Sequence, residues 1–339
     1  DLIHRMGDKV EARKLVRAAG GPVVPGKDLG PDATVQEAAK AAEEIGFPIM
    51  IKARGGGGGK GMKVVHAPGD FADAFNLART EAERAFGNAA VYLEKRLERA
   101  RHVEIQVLGD KHGGVIHLGE RDCSIQRRFQ KVIEEARAPA MPQKVMDEMA
   151  ASAAALARNI GYDSAGTLEF LVDRDHHFYF LEMNTRIQVE HPVTEMITGV
   201  DLVKGQVLVA AGEKLPITQE DVRFTGHAVE CRVLAEDFET GRPSTGRVRG
   251  LHSPGGLGVR VESAVVSGTE ISPYYDPMIM KIIAHGEDRD HAIARMKVAL
   301  QETSILGFKT NLPWLLKAID HPEFRAGRAD TTFFERCKL

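Results

Sequence analysis

The chain has 339 residues, with 45 Lys and Arg against 48 Asp and Glu and a formal net charge of −3. A balance this close to neutral leaves no electrostatic footprint for nucleic acid, and no run of about 18 apolar residues is present to span a membrane. Cys123, Cys231 and Cys337 are odd in number, far apart and without a C-x-x-C, which argues against a disulfide framework or a zinc site and fits a reducing, cytoplasmic setting.

The length predicts two domains, or one large domain with a lobe. The chain opens at Asp1 in a helical-looking segment with neither an initiator Met nor a signal peptide, as a piece of a longer protein would. Thr34 to Ile45 reads as a helix, capped by Thr34 or Asp32, ended by Gly46 and stopped by Pro48. Pro48–Lys52 and Met62–Val65 read as strands, Phe71–Phe86 as a second helix and Ala90–Glu94 as a further strand. His102–Leu108 and Gly114–Leu118 look like paired strands, and a helix from Lys144 to Asn159 ends at Gly161, a left-handed cap. A helix follows Val200 and gives way to a connection near Pro216. Gly226–Ala235, Val259–Glu262 and Met278–Ala284 read as strands, and Asp290–Glu302 and Asn311–Ile319 as helices. Helices and strands alternate without a strict βαβ rhythm, so α+β subdomains are expected rather than one doubly wound sheet.

The segment Glu182 to His191 carries the densest chemistry. Glu182, Asn184, Arg186, Gln188 and Glu190 alternate with Met183, Thr185, Ile187 and Val189. On an extended chain this gathers the polar groups on one face. Thr167–Val172 and Phe178–Met183 read as a hairpin around Asp173–His177, and a turn centred near Asp175–His176 sets Glu169 directly opposite Glu182. Facing carboxylates destabilise a sheet unless something neutralises them. A hard divalent cation such as Mg2+ would do so while leaving room for substrate phosphates, and Asn184 could add a carbonyl oxygen. The plainer alternative is a pair of glutamates splayed into water.

Ile51 to Gly61 contains five consecutive glycines between two apparent strands. Neither a Walker A loop nor a dinucleotide-binding fingerprint fits, because both need a helix after the glycines. Glycines let backbone N–H groups approach an anion, and Lys52 and Lys60 add charge, as a flap over nucleotide phosphates requires. The alternative is a flexible linker. A third signal is Glu120 to Glu135, where Arg121, Arg127, Arg128 and Lys131 form a basic segment able to neutralise phosphate or carboxylate oxygens, or simply a solvated face.

The glycine loop Gly55–Gly61, Arg101-His-Val-Glu-Ile-Gln-Val, Arg121-Asp-Cys-Ser, Glu182 to Glu195 and Gly226-His-Ala-Val-Glu-Cys-Arg232 together resemble biotin carboxylase, an ATP-grasp ligase. The likeness runs from Met6 to the end, and the resemblance implies that the family's small first domain lies outside these residues. It implies an ATP-grasp fold followed by a biotin carboxylase C-terminal α+β domain. The divisions are a lead-in over 1–23, a mobile glycine-rich lid over 24–96, a core over 97–224 and the C-terminal domain over 225–339.

The resemblance also implies roles. Lys9, Lys52 and His102 would contact ATP, with Lys52 and Gly57, Gly58 and Gly59 on the phosphates, Glu94 and Leu97 near the adenine, and Gln126 in the same nucleotide site. Glu169, Glu182 and Asn184 would hold Mg2+ (or Mn2+). Arg186, Gln188 and the Val189 backbone would grip bicarbonate, and Glu190 would deprotonate it. Lys131 would stabilise developing charge, Arg232 would stabilise an enolate-like biotin, and Tyr275 and Asp276 would lie close to the same pocket. The implied activity is ATP-dependent carboxylation of biotin through carboxyphosphate. A biotin carboxyl carrier domain and a carboxyltransferase would be the partners, and the full-length protein would be a homodimer.

Three positions depart from the pattern. Phe129 stands where a polar residue is usual, Arg137 where proline is, and Arg54 where a small residue is. Met296-Lys297 and Met62-Lys63 only superficially resemble a biotinylation hairpin, so biotin must arrive on a separate carrier. A different ATP-grasp ligase, making a carbamoyl or acyl phosphate, would share the metal and flap but would not need Arg232. A non-enzymatic nucleotide-binding module is the other alternative. The final carboxyl acceptor is not encoded here.

Overall fold

The computed structural model describes residues 2–7, 9–54 and 62–337. Two helices, α1 (Leu2–Gly7) and α2 (Lys9–Ala18), lead into a four-stranded sheet of β1 (Gly26–Leu29), β2 (Ile49–Ala53), β3 (Met62–Val65) and β4 (Val91–Lys95), ordered β1-β4-β2-β3. Helix α3 (Val35–Ile45) starts where its sequence says it should. The Glu37 N–H donates to Thr34 Oγ1 at 3.2 Å while the Thr34 N–H donates to Glu37 Oε2 at 2.8 Å, so two orphan donors of the first turn are satisfied reciprocally. Helix α4 (Phe71–Phe86) buries Phe71, Phe75, Ala78 and Ala82 at helical spacing and ends at left-handed Gly87. Both helices close the apolar face of this sheet around Ile49, Ile51, Val91 and Leu93. The glycine run, including Gly57, Gly58, Gly59 and Lys60, lies outside the described residues, as does the side chain of Lys9.

The second sheet is large. It comprises β5 (Arg101–Gly109), β6 (Val115–Arg127), β7 (Gln130–Ala136), β8 (Ala165–Val172), β9 (Phe178–Asn184), β10 (His227–Leu234) and the strands Val259–Ser263 and Met278–Gly286. From one edge the order is Val259–Ser263, Met278–Gly286, β10, β7, β6, β5, β8, β9. Neighbours in both sheets pair antiparallel, as an α+β rather than a doubly wound fold requires. The β7–β10 pairing joins strands on either side of residue 225 into one sheet.

Helix α5 (Gln143–Asn159) covers one face, where Met146, Met149, Ala153 and Leu156 pack on Val103, Ile105, Leu168 and Phe170. Alternation along β5 then sends His102, Glu104 and Gln106 to the opposite face, and they are buried as well. That polar face is roofed by the segment after β9 and by helix α6 (His191–Thr198). Beyond α7 (Leu202–Ala210), helices α8 (Arg289–Glu302) and α9 (Leu312–Asp320) close the other end of the sheet over Ile282, Ile293, Met296 and Leu315.

Three elements differ from the sequence expectation. Glu120–Glu135 is not a solvated charged face: it completes β6 and forms β7, which turn at Arg128 and Phe129, both with positive φ. The extended run from Glu182 to Glu190 stops at Asn184. Residues 185–190 bend and turn into α6, whose first turn holds Pro192, so the five polar side chains do not share one strand face. Strand β1 carries polar Lys27 and Asp28 at the sheet edge and gave no alternation to read.

Candidate active site

A single register row crosses four strands. Glu182 on β9 sits opposite Glu169 on β8, Glu169 opposite Glu104 on β5, and Glu104 opposite Arg121 on β6. The β8–β9 hairpin is centred one half-residue earlier than expected, with Val172 opposite Phe178. A β-bulge at Leu181 restores the Glu169–Glu182 pairing.

Three buried carboxylates converge on one ammonium. Lys131 Nζ donates to Glu104 Oε2 at 2.6 Å, Glu169 Oε1 at 2.9 Å and Glu190 Oε1 at 2.6 Å. Burial alone would raise the Glu169 pKa, but Lys131 and then His102 outweigh it and hold the carboxyl well below its usual range. Burial likewise opposes ionisation of Glu190, and Lys131, Arg232 and Arg121 together keep it ionised. Conversely, the three carboxylates raise the Lys131 pKa well above normal against the desolvation that would lower it.

Arg232, on β10, joins this group from the other side. Its Nη2 donates to Glu190 Oε2 at 3.0 Å and its Nε to Glu134 Oε1 at 2.6 Å. Next to it Lys281 Nζ donates to the Val189 carbonyl at 2.5 Å. The turn that carries Glu190 is thus pinned through its backbone and its side chain.

Arg121 is fully buried and organises what lies beneath. It donates from Nε to Glu104 Oε1 at 2.6 Å, from Nη1 to Gln106 at 2.7 Å and Thr194 at 3.0 Å, and from Nη2 to Thr167 at 3.1 Å and Gln188 Oε1 at 2.9 Å. The Gln188 amide is thereby oriented, and its Nε2 donates to Glu169 Oε1 at 2.8 Å. Asn184 Nδ2 donates to the same oxygen at 3.0 Å. Arg186 is exposed and donates to the Ile187 carbonyl and to Asn184 Oδ1, so the cations on Glu190 are Lys131 and Arg232 rather than Arg186.

Gln126 Nε2 donates to His102 Nδ1 at 2.7 Å, which leaves the imidazole proton on Nε2, 3.1 Å from Glu169 Oε2. In the smaller sheet, Glu94 is clasped by both Lys52 and Arg13 in a buried ion group beside Tyr92. The positions expected to serve phosphate and adenine are therefore paired with each other. Leu97 follows β4, half-buried. Tyr275 is 83% exposed, in a turn where Asp276 Oδ1 accepts from the Met278 N–H.

Among the departures, Phe129 is exposed at the β6–β7 turn. Arg137 follows a cis peptide and donates to Glu120 at 3.0 Å and Gln143 at 2.6 Å. Met296 is buried in α8 and Lys297 Nζ bonds to Asp320, which is no carrier hairpin.

Glu104, Gln106, Thr167, Thr194, Glu134 and Lys281 had no place in the sequence reading of the site. The alternation used for Glu182 also runs through His102, Glu104 and Gln106 and would have found the first two. The donor set at the row's end is two facing carboxylates with an amide two residues on, whose nitrogen now faces Glu169 and whose oxygen faces Arg186, so that a turn of the amide would complete a set of oxygen donors on adjacent strands. Such a set suits a hard cation that keeps open positions, so Glu169, Glu182 and Asn184 fit Mg2+ or Mn2+.

Comparison with known proteins agrees with this geometry. The family described as carbamoyl-phosphate synthase L chain, ATP binding domain, matches residues 8–218, and that described as biotin carboxylase C-terminal domain matches residues 230–336. The biotin carboxylase of Allochromatium vinosum is 51% identical over 336 residues, covering 99% of this chain and 75% of that protein. A biotin carboxylase from Campylobacter jejuni, solved with a βγ-ATP complex, superposes with a TM-score of 0.96 at 45% identity, over 99% of this chain and 75% of that one. The biotin carboxylase domain dimer of Hydrogenobacter thermophilus 2-oxoglutarate carboxylase, solved with MgADP, ADP and bicarbonate, gives 0.95 at 46% identity, over 98% and 73%.

Proposed function

The chain belongs to the biotin carboxylase family of ATP-grasp ligases, and we propose that its buried charges divide between them the steps of ATP-dependent biotin carboxylation with bicarbonate. The observation that carries this reading is the Lys131 ammonium, held at once by Glu104, Glu169 and Glu190.

Bicarbonate is a poor electrophile, and its activation is phosphoryl transfer, where positioning and charge neutralisation supply most of the catalysis. Lys52 and the glycine run take the phosphates, and Lys9, His102, Glu94, Leu97 and Gln126 complete the nucleotide site. Glu169, Glu182 and Asn184 hold Mg2+ (or Mn2+), which when bound neutralises phosphate oxygens. Arg186, Gln188 and the Val189 backbone bind bicarbonate, with Gln188 preset by Arg121.

Glu190 takes the bicarbonate proton. At rest Lys131, Arg232 and Arg121 make it a weak base. As Lys131 turns to the transferring phosphoryl and Arg232 to the ureido oxygen of biotin, Glu190 loses the two cations that hydrogen-bond to it and its proton affinity rises. Carboxyphosphate then delivers CO2, and the phosphate released takes the ureido proton. Arg232 stabilises the enolate-like biotin, with Tyr275 and Asp276 at the rim. Lid (24–96), core (97–224) and C-terminal domain (225–339), after the lead-in (1–23), are the working units, and closure of the lid keeps water from carboxyphosphate.

The biotin comes on a carrier domain and passes to a carboxyltransferase, in a homodimeric, cytoplasmic enzyme. The C-terminal match and Arg232 favour this reading over carbamoyl phosphate synthesis. The test is Mg2+-dependent ADP release with bicarbonate, with and without free biotin. Stimulation by biotin is expected, and release that biotin leaves unchanged overturns the carboxylase assignment.

A further inference from the structure

Behind Arg232 lies a second pair of carboxylates that the reaction does not use. Glu230 on β10 stands directly opposite Glu134 on β7, and both side chains are fully buried. Glu134 Oε1 accepts from Arg232 Nε at 2.6 Å, while Glu134 Oε2 and both Glu230 oxygens lack a hydrogen-bond partner among the described residues. The surroundings are apolar: Ala136, Ala228 and Ile283 from the sheet meet Val193 and Ile197 of α6.

The charged groups that act on the pair are Arg232 on the same strand as Glu230, Lys281 on the adjacent strand, Lys131 on β7 and Glu190 at the start of α6, and the pair in turn helps to raise the nearby thiols of Cys123 and Cys231. Lys281 is committed to Glu262 at 2.7 Å and to the Val189 carbonyl, and Lys131 to its three carboxylates. Two fully buried carboxylates on paired strands with one guanidinium contact between them cannot both stay ionised.

We propose that Glu134 and Glu230 together hold one proton, carried by Glu230, and that the one remaining negative charge, on Glu134, positions Arg232 for the biotin step. Burial, opposed by Arg232, pushes Glu134 up to about 7, and burial together with the Glu134 charge pushes Glu230 well above the usual carboxyl range, so the two are ordered in this sense. Charge on both Glu134 and Glu230 would hold Arg232 too tightly to release it. A neutral Glu134 would leave it without a partner on that side. The link to biotin rests on the role proposed above for Arg232; the shared proton does not.

The sign of the pH effect follows from the raised pKa values. Stability from the bound proton is complete below the ordinary carboxyl pKa of 4.5 and is lost as pH rises toward the folded-state values. Wild-type thermal stability should therefore fall as pH rises above about 4.5 and on through about 7, and Glu230→Gln, which mimics the neutral acid, should flatten that fall and melt higher than wild type at the alkaline end. Infrared spectra at neutral pH should show a protonated-carboxyl C=O stretch that Glu230→Gln removes and Glu134→Gln retains. Glu134→Gln should cut biotin-dependent kcat/KM roughly 10–100-fold, the worth of one hydrogen bond to a charged group, and reduce biotin-free, bicarbonate-dependent ATP hydrolysis much less. A Glu230→Gln protein that melts lower by the same amount at every pH, with no infrared band lost, overturns the shared proton. Unchanged biotin kinetics in Glu134→Gln overturn the positioning role. Neither the melting nor the infrared measurement involves biotin, so they fail separately from the assignment of Arg232.

Discussion

The two sheets carry opposite electrostatic designs. In the four-stranded sheet one buried carboxylate, Glu94, lies between two cations, Lys52 and Arg13. In the eight-stranded sheet four carboxylates, Glu104, Glu169, Glu182 and Glu190, outnumber the cations set among them, Lys131, Arg121 and Arg232. One sheet has positive charge to spare for phosphate, and the other has negative charge to spare for a divalent cation. A nucleotide with its metal bridges such a pair of surfaces without leaving either unbalanced.

The contrast breaks most completely at Lys131. Lys131→Met leaves three buried carboxylates without their shared cation, which costs about 3–5 kcal/mol of stability on the scale of a broken buried pair. Denaturant unfolding should show that loss together with abolished bicarbonate-dependent turnover. Lys52→Met touches the other sheet, where Arg13 still neutralises Glu94. It should weaken ATP binding roughly 10–100-fold, the worth of one charge-assisted contact, while the KM for bicarbonate stays near wild type.

Acid should separate the two sheets further. Glu169 and Glu190 are held below their ordinary value, so their contribution is present above a pH of about 4.5 and is lost as pH falls through the depressed folded-state values. An acid-unfolding titration should be steep in wild type and in Lys52→Met, and shallower in Lys131→Met. The smallest effect belongs to the lid alone. Thr34→Ala removes the α3 capping box and should lower stability by about 1 kcal/mol with turnover unchanged.

How far the sequence discloses this site depends on the range of each contact. Glu169 opposite Glu182 is readable because a hairpin is local, and even there the β-bulge at Leu181 makes good an error in the turn centre. The capping of α3 and the αL glycine after α4 are equally local. Past Asn184 alternation fails, because Gln188 and Glu190 reach the site through a turn. Pro192, a helix-start signal, marks where the strand has already ended. Arg121 reads as one charge in a basic run, since its partners lie 15 to 73 residues away. Glu134 and Glu230 fall inside segments the sequence singles out, but nothing there assigns them a role, because glutamates in a sequence are expected in water.

The most direct test is Glu190→Gln, with ATP affinity and bicarbonate-dependent ADP release measured on the same protein. The variant keeps the shape of Glu190 and loses the ability to take a proton. ATP affinity close to wild type, with bicarbonate-dependent release reduced by roughly 10²–10⁴-fold as for a lost general base, is the predicted result. A collapse of ATP affinity, or release that persists at the wild-type rate, would contradict the assignment of proton transfer to Glu190.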